Sequence, residues 1–213
     1  MEILKLHDIL KKNFVFIKIM ILIKTKNKKM EEERKYIAGK FADPMETINE
    51  IDVKKGDVMA DFGCGAGFFS LPFAKKVGEE GKVYALDVLS SALEAVESEA
   101  KANGISNIIT KRVNLELEKG SKLDDESVDW VVMKNILFQN KDKDIIIREA
   151  YGILKKNGRA LIMEWDSGNS FIGPDRKLRI SEEELDAMVE KGGFILEKKI
   201  KAGDFHYMLI AVK

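Results

Sequence analysis

The chain has 213 residues, of which 45% are hydrophobic and 34% are charged, and it contains 3 Pro and 1 Cys. This composition excludes collagen-like and disordered chains. A single cysteine permits neither an intramolecular disulfide nor a metal site built from cysteines, so we expect no metal and a cytoplasmic location. The length fits one globular domain with, at most, an appendage.

The formal net charge of +0 conceals an uneven distribution. Residues 1–29 contain eight lysines and two acidic residues, a net charge of +6. Residues 30–213 contain 28 basic and 34 acidic residues, a net charge of −6, without a Lys/Arg stripe of the kind that neutralises phosphates. We therefore expect no nucleic acid among the partners.

Residues 14–23 form the only strongly apolar run, and Lys18 interrupts it. The run has about half of the roughly 20 residues that cross a bilayer, so no transmembrane segment is predicted. No small-residue cleavage site follows, which argues against a signal peptide. Three interpretations remain: an extension with little structure ahead of a natural start at Met30, a segment on an anionic membrane surface, or a segment docked on a partner chain. We expect the first, with residues 30–213 as the domain.

From Ile51 onward, short β-branched runs alternate with helical patterns, which is typical of parallel βαβ units. The predicted strands are 58–62, 82–88, 107–113, 128–134, 159–165, 194–200 and 205–213, and the predicted helices are 67–78, 90–103, 142–156 and 181–191. Gly203-Asp204 separates the last two strands and predicts a hairpin. We expect a doubly wound α/β fold whose sheet starts near residue 50, has seven strands and ends with an antiparallel strand.

The segment VMADFGCGAGFFS places an apolar strand directly before a glycine-rich turn and a helix directly after it. Glycines let the backbone approach a ligand closely, and the following helix presents unpaired N–H groups. A dinucleotide fingerprint requires a third glycine where Phe68 stands, and the G-K-[ST] of a phosphate loop is also missing. Asp61, two residues before the first glycine, instead suits a ligand that carries an ammonium group.

Together these features resemble the class I S-adenosylmethionine-dependent methyltransferases over nearly all of residues 51–213. The resemblance implies a Rossmann-like methyltransferase domain within residues 30–213, S-adenosyl-L-methionine as the cofactor and transfer of its methyl group to a small molecule. The overall pattern most resembles the small-molecule methyltransferases of the quinone-biosynthesis type. The residues that it implies for cofactor binding are Asp61, Gly63, Cys64, Gly65, Gly67, Asp87, Val88, Asn114, Leu115 and Asn135.

The resemblance also implies roles for individual residues. Asp87 would hold the ribose hydroxyls, Val88 would cover the adenine, and Asn114 and the Leu115 N–H would meet the adenine edge. Asn135 would lie near the methionine part. Relatives often have Asp where this chain has Asn114, and we assign no chemistry to Cys64. Taken singly, Asp87 could be a helix cap, and the two asparagines could be ordinary loop residues.

Methyl transfer from a sulfonium requires mainly that the acceptor be held in line, so a general base is optional. His206 is the best candidate for a base with a hydroxyl acceptor, and the alternative is a strand-end histidine without a catalytic role. Asp204 and Tyr207 are expected beside His206 at the mouth of the site. Glu164 and Asp166 flank Trp165 at the end of strand five, where they would either touch the acceptor or be solvated.

Because the chain has one thiol, a soft acceptor such as arsenic is disfavoured. An apolar or aromatic acceptor fits the aromatic residues expected near the site, which are Phe138, Trp165, Phe171 and Phe205. Tyr36 and Phe41 could help to close the site.

The alternative from another class is a non-catalytic subunit or sensor that binds the cofactor or a related nucleoside. The sequence leaves the oligomeric state open.

Overall fold

The computed structural model describes residues 43–168 and 172–213. Our predictions for residues 1–29, Tyr36, Phe41 and Phe171 lie outside these residues. In chain order the elements are α1 (Pro44–Asn49), β1 (Val58–Phe62), α2 (Ser70–Val77), β2 (Lys82–Asp87), α3 (Ser90–Ala102), β3 (Ile108–Arg112), β4 (Val128–Lys134), α4 (Lys143–Ile153), β5 (Leu154–Trp165), α5 (Glu182–Lys191), β6 (Ile195–Ala202) and β7 (His206–Val212). Short 3-10 turns occupy Leu137–Gln139 and Arg176–Leu178.

The strands form one seven-stranded sheet in the order β3-β2-β1-β4-β5-β7-β6. Strands β1 to β5 are parallel, whereas β7 is antiparallel to both β5 and β6. The predicted doubly wound sheet with an antiparallel last strand is therefore confirmed. The order of the strands reverses between β1 and β4, and the carboxyl ends at such a switch point are where open α/β sheets bind ligands.

Apolar side chains cover both faces of the sheet, as the alternation along β4 illustrates. Val131 and Met133 belong to one buried cluster, which includes residues of α4 and α5. Trp130 and Val132 belong to the other, which includes residues of α1 and α2. Successive side chains of a strand point to opposite faces, so a strand that is apolar at successive positions, as β4 is from Trp130 to Met133, has to be covered on both faces.

The predicted helix 142–156 was wrong at its end, because α4 stops at Ile153 and β5 starts at Leu154. Leu154 is fully buried and pairs with Val128, and the Ser127 N–H donates to the Ile153 carbonyl. These contacts with β4 end the helix before the Asn157-Gly158 signal is reached. The helix after the glycine turn starts at Ser70 instead of residue 67, because Gly67 has a φ of 85° that a helix does not accept.

Two other helix starts follow local capping chemistry. The α5 helix has the predicted capping box, in which Ser181 accepts from the Glu184 N–H and the Glu184 side chain accepts from the Ser181 N–H. The short helix α1 was not predicted, and its start is capped by Asp43, which accepts from the Met45 N–H at 2.7 Å. No helix within the described ranges combines the length and the apolarity that a membrane crossing requires.

Candidate functional site

The glycine turn after β1 is held against the end of β2. The N–H groups of Gly63 and Cys64 both donate to the Leu86 carbonyl, at 2.8 and 3.0 Å. Gly63 has a φ of 69°, and a Cβ on it would lie 2.9 Å from Cδ1 of Ile136. Both the backbone conformation and the close approach of the chain after β4 therefore favour glycine at this position.

Asp87 joins this turn to the start of α3. Its Oδ2 accepts from the Gly65 N–H at 3.0 Å, and its Oδ1 accepts from the Leu89 N–H at 2.9 Å. A Cβ on Gly65 would meet no atom within 4 Å, so this glycine faces open space. The carboxylate is thus fixed in orientation at the edge of the sheet, and each oxygen still has acceptor capacity.

A cavity of about 420 Å³ opens beside this carboxylate, within the usual size range of small-molecule sites. Six residues of the predicted cofactor set line it: Gly63, Gly65, Asp87, Val88, Asn114 and Leu115. Val88 is 53% exposed and offers apolar surface to the cavity. A second cavity of about 430 Å³ shares Val88 and Asn114 with the first, so the two cavities adjoin.

The cavity is completed by residues that sequence reasoning missed. Ile136, Gln139 and Asn140 line it from the segment after β4. That segment follows a strand end at the switch point, which was the available signal. Asn114 also behaves as a loop residue here, because its Oδ1 accepts from the Glu116 N–H at 3.0 Å.

The other four residues of the predicted set do not line this cavity. Asp61 is 3% exposed and accepts from the Ser70 hydroxyl at 2.6 Å. Burial raises the pKa of Asp61 to about 6, against the opposing effects of the Ser70 hydrogen bond and the Lys134 charge. Cys64 is buried, and burial raises the pKa of its thiol, which keeps it protonated. A Cβ on Gly67 would lie 3.2 Å from Leu71, so this glycine allows close packing.

The fourth residue, Asn135, meets His206 from across the sheet. The Asn135 Nδ2 donates to the His206 Nε2 at 3.1 Å, although 71 positions separate the two residues. The Asn135 Oδ1 is buried without a hydrogen-bond partner in the part of the chain that the structure describes. The His206 ring stacks on Trp165 with centroids 4.2 Å apart. Burial lowers the pKa of His206 to about 4, aided by the charges of Lys134 and Arg179, so the imidazole is neutral at pH 7.

Glu164 is fully buried rather than solvated. Its Oε1 accepts from the Leu137 N–H at 2.9 Å, which ties the end of β5 to the segment that lines the cavity. Burial raises the pKa of Glu164 to about 7. Tyr207 does not lie at a mouth, because it is 6% exposed and its hydroxyl donates to the Ile180 carbonyl at 2.8 Å.

The remaining candidates near the end of β5 have structural contacts. Asp166 accepts from the Gly168 N–H at 2.6 Å, and its own N–H donates to the Phe205 carbonyl at 2.8 Å. Asp204 is exposed, whereas Phe138 packs partly buried against the core. Of the aromatic residues predicted near the site, the half-buried Trp165 contacts the His206 ring directly.

Two cations at this edge were also missed. Lys134, the last residue of β4, is half-buried with its Nζ 4.3 Å from the centroid of the Phe68 ring. Arg179 is 8% exposed and donates to the carbonyls of Asp166 and Ile172, both at 2.7 Å. A single basic residue carries no periodic signal, so the sequence did not distinguish these two from solvated ones.

Within residues 43–168 and 172–213, no group of three or more His, Cys, Asp or Glu side chains is arranged to hold a metal ion.

The sheet order and the cavity at its switch point define an α/β domain of the kind that binds nucleotide-like cofactors at the strand carboxyl ends. Residues 53–211 match the family model described as a methyltransferase domain, and the chain belongs to this family. The predicted resemblance is thereby confirmed at the level of the family.

Individual relatives agree with this assignment. The ubiquinone/menaquinone biosynthesis C-methyltransferase UbiE of Haemophilus ducreyi is 34% identical over 120 residues, which are 56% of this chain and 45% of that protein. The demethylmenaquinone methyltransferase of Geobacillus stearothermophilus is 28% identical over 123 residues, 56% of this chain and 50% of that protein. The chain thus spans about half the length of the curated relatives it matches.

A solved structure shows the same fold. The crystal structure of a SAM-dependent methyltransferase from Aquifex aeolicus superposes with a TM-score of 0.75 and covers 81% of this chain and 90% of its own. At 24% sequence identity this likeness concerns the fold alone. It agrees with the seven-stranded sheet described above.

Proposed function

We propose that the chain binds S-adenosyl-L-methionine in the 420 Å³ cavity and transfers its methyl group to an apolar or aromatic small molecule. The observation that carries this proposal is the position of the cavity at the ends of β1 to β4, lined by six residues of the predicted cofactor set. Membership of the methyltransferase domain family supports it. The lone, buried cysteine remains consistent with the proposed cytoplasmic location.

The residues at the cavity fit this cofactor chemically. The Asp87 carboxylate is held by the Gly65 and Leu89 N–H groups and retains lone pairs for the two ribose hydroxyls. Val88 and Ile136 supply apolar surface for the adenine ring. The open side of Gly65 allows close approach of the ligand to the backbone. We propose that the Leu115 N–H and Asn114 read the adenine edge.

When bound, the cofactor supplies a methyl group on a sulfonium, whose carbon–sulfur bond breaks as the bond to the acceptor forms, with the electron pair left on sulfur. The task of the protein is to hold the acceptor in line and to exclude water. We propose that Asn135 helps to define the point at which the methyl group is transferred. It follows β4 directly, and its buried Oδ1 is without a hydrogen-bond partner among the described residues.

We propose that His206 positions Asn135 rather than removing a proton. A group with a pKa of about 4 is a weak base for a phenol or alcohol, and His206 is only 2% exposed. Its Nε2 already accepts from the Asn135 amide at 3.1 Å. A proton released by the acceptor would then leave to solvent.

The test combines binding and turnover in the full chain. Calorimetry with S-adenosylmethionine measures binding, and incubation with methyl-labelled cofactor and a panel of phenols, quinol precursors, amines and tRNA measures transfer. Transfer to a small molecule supports the proposal. Binding without transfer to any member of the panel favours the alternative of a non-catalytic sensor or subunit. Transfer to tRNA alone would contradict the expectation drawn from the −6 charge of residues 30–213.

A further inference from the structure

Lys134 is a half-buried cation that forms no ion pair with any residue that the structure describes. Its Nζ lies over the Phe68 ring, 4.3 Å from the centroid. In the part of the chain that the structure describes, its ammonium makes neither a hydrogen bond nor a salt bridge. Removing a charge from water without a partner costs free energy, so this lysine is a poor choice for stability alone.

The titratable groups around Lys134 come from three other strands. The carboxylates of Asp61 in β1 and Glu164 in β5 attract the Lys134 charge. That charge also disfavours protonation of His206 at the start of β7. Burial lowers the pKa of Lys134, and the two carboxylates oppose that shift. Both carboxylates are engaged elsewhere, since Asp61 accepts from the Ser70 hydroxyl and Glu164 accepts from the Leu137 N–H.

The position of Lys134 relates it to the reacting centre rather than to the cavity. It precedes Asn135 in sequence and pairs with Met163, one residue before Glu164 in β5. Trp165, whose half-buried ring stacks on His206, is the last residue of the neighbouring strand β5. This edge therefore places a cation over the Phe68 ring, next in sequence to the residue proposed to define the transfer point.

We infer, on the basis of the proposed function, that Lys134 binds an anionic oxygen of the methyl acceptor, so that the substrate class is an aromatic or apolar molecule carrying a carboxylate. A charge-assisted hydrogen bond to such an oxygen provides the partner that the ammonium lacks. The aromatic rings contact the apolar part of the molecule. Two rival roles are balance of the buried Asp61 charge and binding of the carboxylate of the cofactor itself.

The experiment uses the full chain saturated with S-adenosylhomocysteine and two matched pairs of probes. These are 2-naphthoate with 2-naphthamide and 4-hydroxybenzoate with 4-hydroxybenzamide, and calorimetry measures their binding. We expect each carboxylate to bind at least about 10-fold more tightly than its amide, as the loss of one charged hydrogen bond predicts. The Lys134→Met variant should reduce that preference to within about twofold, and Lys134→Arg should retain it. The exposed control Lys101→Met should behave as the wild type.

Each contrary result has a distinct meaning. A wild type that does not prefer the carboxylates, or a Lys134→Met variant that keeps the preference, overturns the inference. Weakened binding of S-adenosylmethionine in Lys134→Met assigns the lysine to the cofactor and also overturns it. Failure of the proposed function is separate from these outcomes, because it appears as a wild type that does not bind S-adenosylmethionine.

Discussion

The Asp87 carboxylate accepts a hydrogen bond from the Gly65 N–H across 3.0 Å, so the end of β2 fixes the glycine turn that follows β1. The same carboxylate accepts from the Leu89 N–H at the start of α3. One side chain thereby orders two loops at the cavity before any ligand arrives. Such preorganisation reduces the entropy lost on binding.

The Asp87→Asn variant is expected to bind S-adenosylmethionine about 10- to 100-fold more weakly. The substitution removes a charged acceptor for the ribose hydroxyls, and a hydrogen bond to a charged group contributes about 1.5–3 kcal/mol. Calorimetric titration measures the change, with the exposed Asp125→Asn as the matched control. Unchanged affinity would remove Asp87 from the proposed site.

The Gly63→Ala variant is expected to lower the free energy of unfolding by about 1–2 kcal/mol. The φ of 69° costs an alanine roughly that amount, and the added Cβ would lie 2.9 Å from the Ile136 side chain. Urea denaturation measures the effect. The control is Gly152→Ala in α4, where the nearest atom to the new Cβ is 3.9 Å away. This change should raise stability by about 0.5 kcal/mol, so equal effects of the two variants would contradict the argument.

His206 should make the folded chain less stable as the pH falls. Its pKa is lowered from 6.5 to about 4 on folding, so between these values the unfolded chain binds a proton that the folded chain does not. The stabilising effect of the neutral ring is present above pH 6.5 and is lost towards pH 4. Between pH 7 and pH 4, we expect the free energy of unfolding to fall by about 1–3 kcal/mol less in the His206→Asn variant than in the wild type. Urea denaturation at both pH values measures this, and parallel losses would show that the histidine titrates normally.

Asp61 has the opposite dependence, because burial raises its pKa from 3.8 to about 6. Between these values the folded chain binds the extra proton, so the penalty for the buried carboxylate develops as the pH rises and is complete above about pH 6. The free energy of unfolding of the Asp61→Asn variant should therefore rise by about 2–3 kcal/mol relative to that of the wild type between pH 4 and pH 7.5. Denaturation series at the two pH values test this. A difference that does not change with pH would mean that Asp61 is ionised in the folded chain at pH 4.

Deletion of residues 1–29 is expected to leave the affinity for S-adenosylmethionine and the thermal midpoint nearly unchanged. Every proposed cofactor residue lies beyond residue 50, and lysines, of which the segment has eight, resist burial. Calorimetry and thermal denaturation of the shortened chain provide the measurement. A large loss of stability would show that the apolar run 14–23 contributes to the core.

The order of the elements, the glycine turn and the terminal hairpin could be predicted from the sequence. Each depends on a local pattern: an apolar strand before Gly63, a capping box at Ser181, and Gly203-Asp204 between two β-branched runs. Local patterns determine local conformation because the relevant atoms are neighbours in the chain. The same patterns placed the candidate site at the carboxyl ends of the parallel strands, where the structure has a cavity.

The tertiary structure decided what depends on distant partners. The end of α4 at Ile153 follows from pairing of Leu154 with Val128, and the contact of Asn135 with His206 joins residues 71 positions apart. The burial of Glu164 and of Lys134 depends on how several strand ends pack together. A charged side chain looks the same in a sequence whether it ends in water or in a desolvated cluster. Its chemistry is set by the surroundings that folding assembles.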